Sequence, residues 1–321
     1  MIHSRLLPGR GPVTARASTG SIKLDANPMI DRPHSPALDA LLGQEIRILD
    51  HGFIRVIDYM GNDDAIVQAA RVSYGSGTKS VTDDRNLIRY LLRHRHTTPF
   101  EMAEIKLHVK LPIFVARQWI RHRTASVNEY SARYSLLDRE FYIPVEDAIA
   151  GQSSENKQGR AEAVSGDRAN AVGLAMAGAA ERAYATYLEL LNEAVEGFVP
   201  DPEKQGVARE LARAVLPVSY YTQWYWKIDL HNLLHFLSLR ADPHAQHEIR
   251  CYAAEILKIV QAWVPHTYEA FVDYRLDAAG MSGPALRIVR KVLAGEPVDQ
   301  VSSGLSLREW RELSALLDIA L

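Results

Sequence analysis

The sequence predicts an α+β fold, on three observations. Short stretches of period-two alternation are mixed with longer stretches of helical spacing. No internal repeat is evident, and this mixture favours an α+β class over a doubly wound sheet. Hydrophobic residues make up 47% of the 321 and charged residues 24%, a balance that fills a real core.

Residues 1–40 are rich in Pro, Ser and Gly and read as a tail, with order expected from about Glu45. The first 24 residues carry Arg5, Arg10, Arg16 and Lys23 and no acid, a pattern shared with some targeting signals. Pro8, Gly9, Gly11 and Pro12 break any amphipathic helix there, so a disordered tail, or a start at Met29, is the favoured reading. Ile46, Ile48, Phe53, Arg55 and Ile57 fall in alternating stretches that predict strands. Residues 65–72 read as helix. Thr82 is the expected N-cap of a helix over 83–95, with Asp83 and Asp84 at its positive start. Ile105, Leu107 and Val109 alternate with Lys106, His108 and Lys110, a half-buried strand. Pro112 suits the first turn of a helix reaching 118–121. Residues 151–168 read as a polar loop insertion, and 169–196 as one long helix. A second helix is expected over 204–215, stopped by Pro217. Tyr220, Thr222, Trp224 and Trp226 share one face of a strand, where such aromatics serve a core. Residues 230–239 read as an apolar helix. Ala245, Ile249, Tyr252, Ile256, Val260 and Trp263 keep helical spacing on the next. The last stretch, 276–321, shows two weak helical patterns.

The formal net charge of −2 speaks against a surface built for nucleic acid or anionic membrane, so an anion site must be local. No apolar run is long enough to span a membrane. Cys251 is the lone cysteine, which excludes an internal disulfide and a Cys-rich metal site and suits a reducing, cytoplasmic setting.

The densest polar segment lies between Arg117 and Arg133, with four arginines and one glutamate. Guanidinium forks match phosphate oxygens bidentately. Ser126, Asn128 and Ser131 add groups able to bond phosphate, sugar or base, and Glu129 can accept from ribose hydroxyls or an arginine. The segment follows the apolar start Ile113-Phe114-Val115-Ala116, which would fix it at the edge of the core. A solvated basic turn is the plain alternative.

Arg121-His122-Arg123, seven residues, then Ser131 resembles the signature of the flavin-dependent thymidylate synthases, the ThyX family. Three further blocks are similar to that family in the same order. They are His96-Thr97-Thr98-Pro99-Phe100-Glu101, Ala212-Arg213-Ala214-Val215-Leu216-Pro217, and the stretch from Leu239-Arg240-Ala241-Asp242 through Gln246 and Glu248 to Arg250. The resemblance spans about 45–275 and leaves 1–44 and 276–321 outside, as tail and C-terminal helical extension. It implies a ThyX-like fold, an antiparallel sheet flanked by long helices. It also implies reductive methylation of dUMP to dTMP with methylenetetrahydrofolate, FAD and NADPH, in a homotetramer with shared sites.

By position, the resemblance puts Gln118, Trp119, Ile120, Arg121, Glu129 and Tyr130 on dUMP. It adds Ser131, Ala132, Arg133, Arg213 and Arg240 to the same substrate. It puts Ser73, Thr98, Arg121, His122, Arg123 and Glu129 on FAD, followed by Asp229, Leu230, His231 and His235. Arg240 would stabilise the N3-ionised pyrimidine. From the residues alone, its plain role is a cation at a helix C-terminus, worth roughly 0.3–1 kcal/mol.

Asp229-Leu230-His231 and His235 depart from the family's usual Asn-x-Arg and Asn. An Asp near a pyrophosphate is unfavourable unless it bonds something else. Ala132 replaces a frequent Gly, which matters only where φ must be positive. A flavin route needs no protein nucleophile, in keeping with Cys251 reading as a small core residue. Two rival readings remain open: methylation of uridine in RNA, and a nucleic-acid module built on 117–133, with a steep salt dependence.

Overall fold

The computed structural model describes residues 32–72, 83–154 and 159–319. The tail reading for 1–31, the expected cap Thr82 and the site residue Ser73 lie outside them. Strands β1 (Glu45–Ile48), β2 (Gly52–Met60), β3 (Glu104–Pro112), β4 (Ser126–Glu129) and β7 (Tyr221–Asp229) form one antiparallel sheet in the order β1-β2-β3-β7-β4. Alternation sends one face of it into the core. Ile54 and Val56, Ile105, Leu107 and Val109, and Trp224 and Trp226 are all buried there. On β2 the buried parity is thus that of Ile54 and Val56, while Phe53, Arg55 and Ile57 are half-buried.

Helices cover that face. α5 (Ile113–Trp119), α8 (Leu230–Arg240) and α9 (His247–Trp263) share one apolar cluster with the sheet, together with α2 (Asp63–Val72) and α3 (Asp84–Arg93). Tyr252 of α9 reaches across to donate to the Lys110 carbonyl at 2.7 Å. Gly52 is required beneath it, because a Cβ there would stand 2.0 Å from the Tyr252 hydroxyl. Asp83 caps α3 by accepting from the Arg85 amide at 3.2 Å. Pro112 closes β3 and precedes α5 instead of entering its first turn.

Four expectations need correcting. Order starts before Glu45: α1 (Pro36–Asp39) buries Leu38 completely, and Ser35 Oγ donates to the Ala262 carbonyl at 2.7 Å. The 151–168 insertion carries a short antiparallel pair, β5 (Ala150–Gln152) and β6 (Arg160–Ala163). The long helix α6 (Asp167–Leu191) stops five residues early, at Asn192 in the left-handed region with φ 50°. Asn192 Nδ2 donates to the carbonyls of Asp201 and Lys204 at 2.8 and 2.7 Å, so the returning chain takes over the cap. That return also shortens the second helix to α7 (Arg209–Ala212) plus a 3₁₀ turn, Arg213–Val215. Residues 204–208 run back along the end of α6, with the Val207 amide on the Leu190 carbonyl at 2.7 Å. At the C-terminus, α11 (Gly283–Leu293), α12 (Gln300–Ser303) and α13 (Leu307–Leu317) close on their own apolar cluster around Ile288, Trp310 and Leu313.

Candidate active site

Three of the expected site residues meet where α5 and α8 end. Arg240, the last residue of α8, donates through Nε to His122 Nε2 at 3.1 Å and through Nη2 to the Gln118 carbonyl at 3.3 Å. Its guanidinium is half-buried and has no acid partner among the described residues. Burial, the Arg240 charge and His235 together pull the His122 pKa down to about 4. His122 is therefore neutral at pH 7 and accepts from Arg240 instead of repelling it. Burial also lowers the Arg240 pKa, yet a guanidinium starts so high that it stays charged.

Gln118 is held by a chain of amides. Its Nε2 donates to Gln246 Oε1, and Gln246 Nε2 donates to Glu248 Oε2 at 2.8 Å. Glu248 is 1% exposed and takes two further donors, the Tyr142 hydroxyl at 3.0 Å and Arg160 of β6 at 2.5 Å. Burial opposes its ionisation, but Arg160 holds the pKa below the ordinary value. A carboxylate only accepts, so it fixes which end of each amide points where. Gln118 keeps its Oε1 and one N–H for a ligand. Gln246 and Glu248 were not expected as site residues. Their Gln-x-Glu lies inside the matched block, but nothing in sequence ties it to Tyr142 or Arg160.

A second group gathers around Glu210. Arg133 pairs with its carboxylate at 2.9 Å, and Arg213 Nε donates to its carbonyl at 3.3 Å. Both partners of the Arg133 pair are more than half exposed, so a phosphate can replace Glu210 at small cost. Glu129 Oε1 accepts from Thr222 Oγ1 at 2.7 Å, and Ser131 Oγ accepts from the Arg133 amide at 3.4 Å. The Tyr130 amide donates to the Gln223 carbonyl at 2.8 Å. Ala132 packs on the α6 cluster and has no positive φ, so the missing glycine costs nothing there. Arg121, Arg123 and Ile120 are exposed. Neither arginine has a side-chain partner among the described residues.

The expected cofactor residues divide. His231 and His235 line a cavity of about 320 Å³ together with His96, Thr97 and Ser238. Thr98, at the start of α4 (Thr98–Glu101), lines a neighbouring cavity of about 600 Å³, which His96 and Thr97 share. The His235 ring lies 5.9 Å from that of His122, which joins the first cavity to the Arg240 group. Three expected contact residues have their side chains or amides engaged within the fold itself. The Trp119 ring is 0% exposed and wrapped by aromatic core residues, so a contact there would fall to its main chain. Leu230 is equally buried, and its amide is spent on the Ala103 carbonyl at 2.8 Å. Asp229 is the N-cap of α8: Oδ1 accepts from the Asn232 amide at 2.9 Å and Oδ2 from Asn232 Nδ2 at 2.7 Å. That cap is the reason a carboxylate is tolerated at this position.

Cys251, half-buried on α9, sits 3.6 Å from His247 Nε2, and burial pushes its thiol pKa up. A raised thiol is a poor nucleophile. No described helix is long and apolar enough to cross a membrane.

Guanidiniums without acid partners among the described residues, on an α+β scaffold, suit phosphorylated nucleotides. Residues 55–266 match the family model described as thymidylate synthase complementing protein. The flavin-dependent thymidylate synthase of Gluconobacter oxydans is 59% identical over 290 residues, covering 90% of this chain and 93% of the relative. That of Ruegeria pomeroyi is 58% identical over 283 residues, covering 88% and 91%. Among solved structures, the UMP/dUMP methylase PolB of Streptomyces cacaoi bound with 5-Br dUMP is 35% identical at a TM-score of 0.61. It covers 72% of this chain and 98% of its own. The chain belongs to the flavin-dependent thymidylate synthase family.

Proposed function

We infer that this protein makes dTMP by reductive methylation of dUMP, and the observation that carries the reading is the Arg240 group. A half-buried guanidinium, without a counter-ion and steered by neutral His122, is poised to stabilise negative charge on a pyrimidine ring. Arg133 and Arg213, with Ser131, would hold the 5′-phosphate, and Gln118 would fix the base or sugar through its free amide edge. When bound, FAD supplies the hydride drawn from NADPH, and methylenetetrahydrofolate supplies the one-carbon unit. The residues fit FAD. Arg121 and Arg123, unpaired among the described residues, can meet its diphosphate, and no described acid lines the cavity beside His231 and His235 to repel it. The raised Cys251 thiol supports a route without a protein nucleophile.

The exposed arginines and the part-formed cavities support a site completed by neighbouring subunits, in a cytoplasmic homotetramer. The catalytic domain would run from α1 to about 275, taking in the ordered residues before Glu45, with 276–321 as a helical extension. Purified protein should be yellow. It should form dTMP from dUMP only with NADPH and methylenetetrahydrofolate both present. Colourless protein that takes up no added FAD would count against this reading. Because PolB acts on UMP as well, UMP belongs in the assay, with dUMP expected to be the better substrate.

A further inference from the structure

Along the seam between α3 and the α10 region (Pro265–Phe271, continuing into the π-helical turn Val272–Leu276), charges pair at helical spacing. Arg85 pairs with Glu269, and four residues on in each strand of the seam Arg89 pairs with Asp273 at 2.7 Å. Beyond that pair no further ion pair joins the two elements among the described residues. The α10 side presents Arg275, and just past the end of α3 stands Arg95. Arg275 donates to the carbonyls of Tyr274 and Leu92, each at 3.1 Å. Those bonds aim its guanidinium without neutralising it. Burial and then the Arg95 charge lower its pKa. Arg95 has no acid partner among the described residues.

The backbone of Arg95 is unusual as well. Its φ is 60°, the left-handed region where glycine is the cheap residue at a helix end. An arginine there costs of the order of 1 kcal/mol. Both arginines line the cavity of about 320 Å³ beside His96, His231 and His235, and among the described residues no Asp or Glu lines it. Capping of α3 explains one cation on the Leu92 carbonyl. It does not explain two like charges facing a cavity in which no described carboxylate offsets them.

We propose that Arg95 and Arg275 form an anion subsite for a phosphate or carboxylate of a ligand seated in this cavity. Resting on the proposed function, three ligands share that chemistry: the FAD diphosphate, the NADPH phosphates and the folate carboxylates. The variants Arg95→Gly and Arg275→Gln remove charge while sparing the backbone cap and a bond to Leu92. The FAD Kd is measured by adding FAD back to flavin-stripped protein, and the KM values for NADPH and methylenetetrahydrofolate on FAD-loaded enzyme, with the dUMP Kd and Tm as controls. In both variants the same one of the three constants rises about tenfold or more, while the controls hold. Which constant rises identifies the anion. All three within twofold of wild type overturns the subsite, and so does a uniform loss accompanied by a lower Tm. Should wild-type protein make no dTMP, the proposed function fails by itself, and direct FAD and NADPH titrations still read the subsite.

Discussion

Arg240→Ala is expected to keep its FAD and to lose dTMP formation by roughly 10²–10³-fold, the usual consequence of deleting one preorganised group that meets developing charge. Arg240 contributes more than a surface arginine because its surroundings are partly desolvated and its side-chain partner among the described residues is the neutral His122. The ground-state affinity for dUMP should fall less than the rate, since charge grows on the ring only as the reaction proceeds. Single-turnover kinetics on flavin-loaded variant and wild type separate the two effects. A variant turning over at the wild-type rate would remove Arg240 from the chemistry, even with the family assignment intact.

Trp119→Ala is expected to have the largest effect on stability, a loss of roughly 3–5 kcal/mol. The indole lies edge-on to Trp226 at 5.1 Å and against Phe236 at 4.8 Å, with Trp224 and Tyr252 near 6.0 and 5.9 Å. Removing it opens a cavity where the sheet, α5, α8 and α9 converge. Urea unfolding followed by fluorescence and circular dichroism measures the loss. A drop below about 1 kcal/mol would mean that this centre collapses or was loosely packed. Loss of substrate binding in a stably folded variant would restore the ligand contact expected from the sequence.

The elements that read correctly from sequence are those whose side chains alone decide their fate. Alternation in β3 and β7 fixes their faces, and helical spacing in α9 fixes which side is buried. The end of α6 was not legible, because Asn192 is held by carbonyls that return nine and twelve residues later. The resemblance named candidate segments but not the direction of each side chain. The Arg240 side chain turns back onto the Gln118 main-chain carbonyl, whereas Trp119, between Gln118 and the arginine cluster, turns into the core. Asp229 looked awkward near a cofactor until its bonds to Asn232 made it a helix cap. Glu248 and the Arg95–Arg275 pair depend on partners far apart in the chain, so no local pattern announces them.

The central claim is that guanidiniums drawn from separate segments hold the nucleotide. Calorimetric titration of dUMP into FAD-loaded Arg133→Ala and Arg213→Ala proteins tests it most directly. Each lost charge-assisted bond is worth about 1.5–3 kcal/mol, so affinity should fall at least about tenfold in each variant while bound FAD stays stoichiometric. Wild-type affinity for dUMP in either variant would contradict the claim.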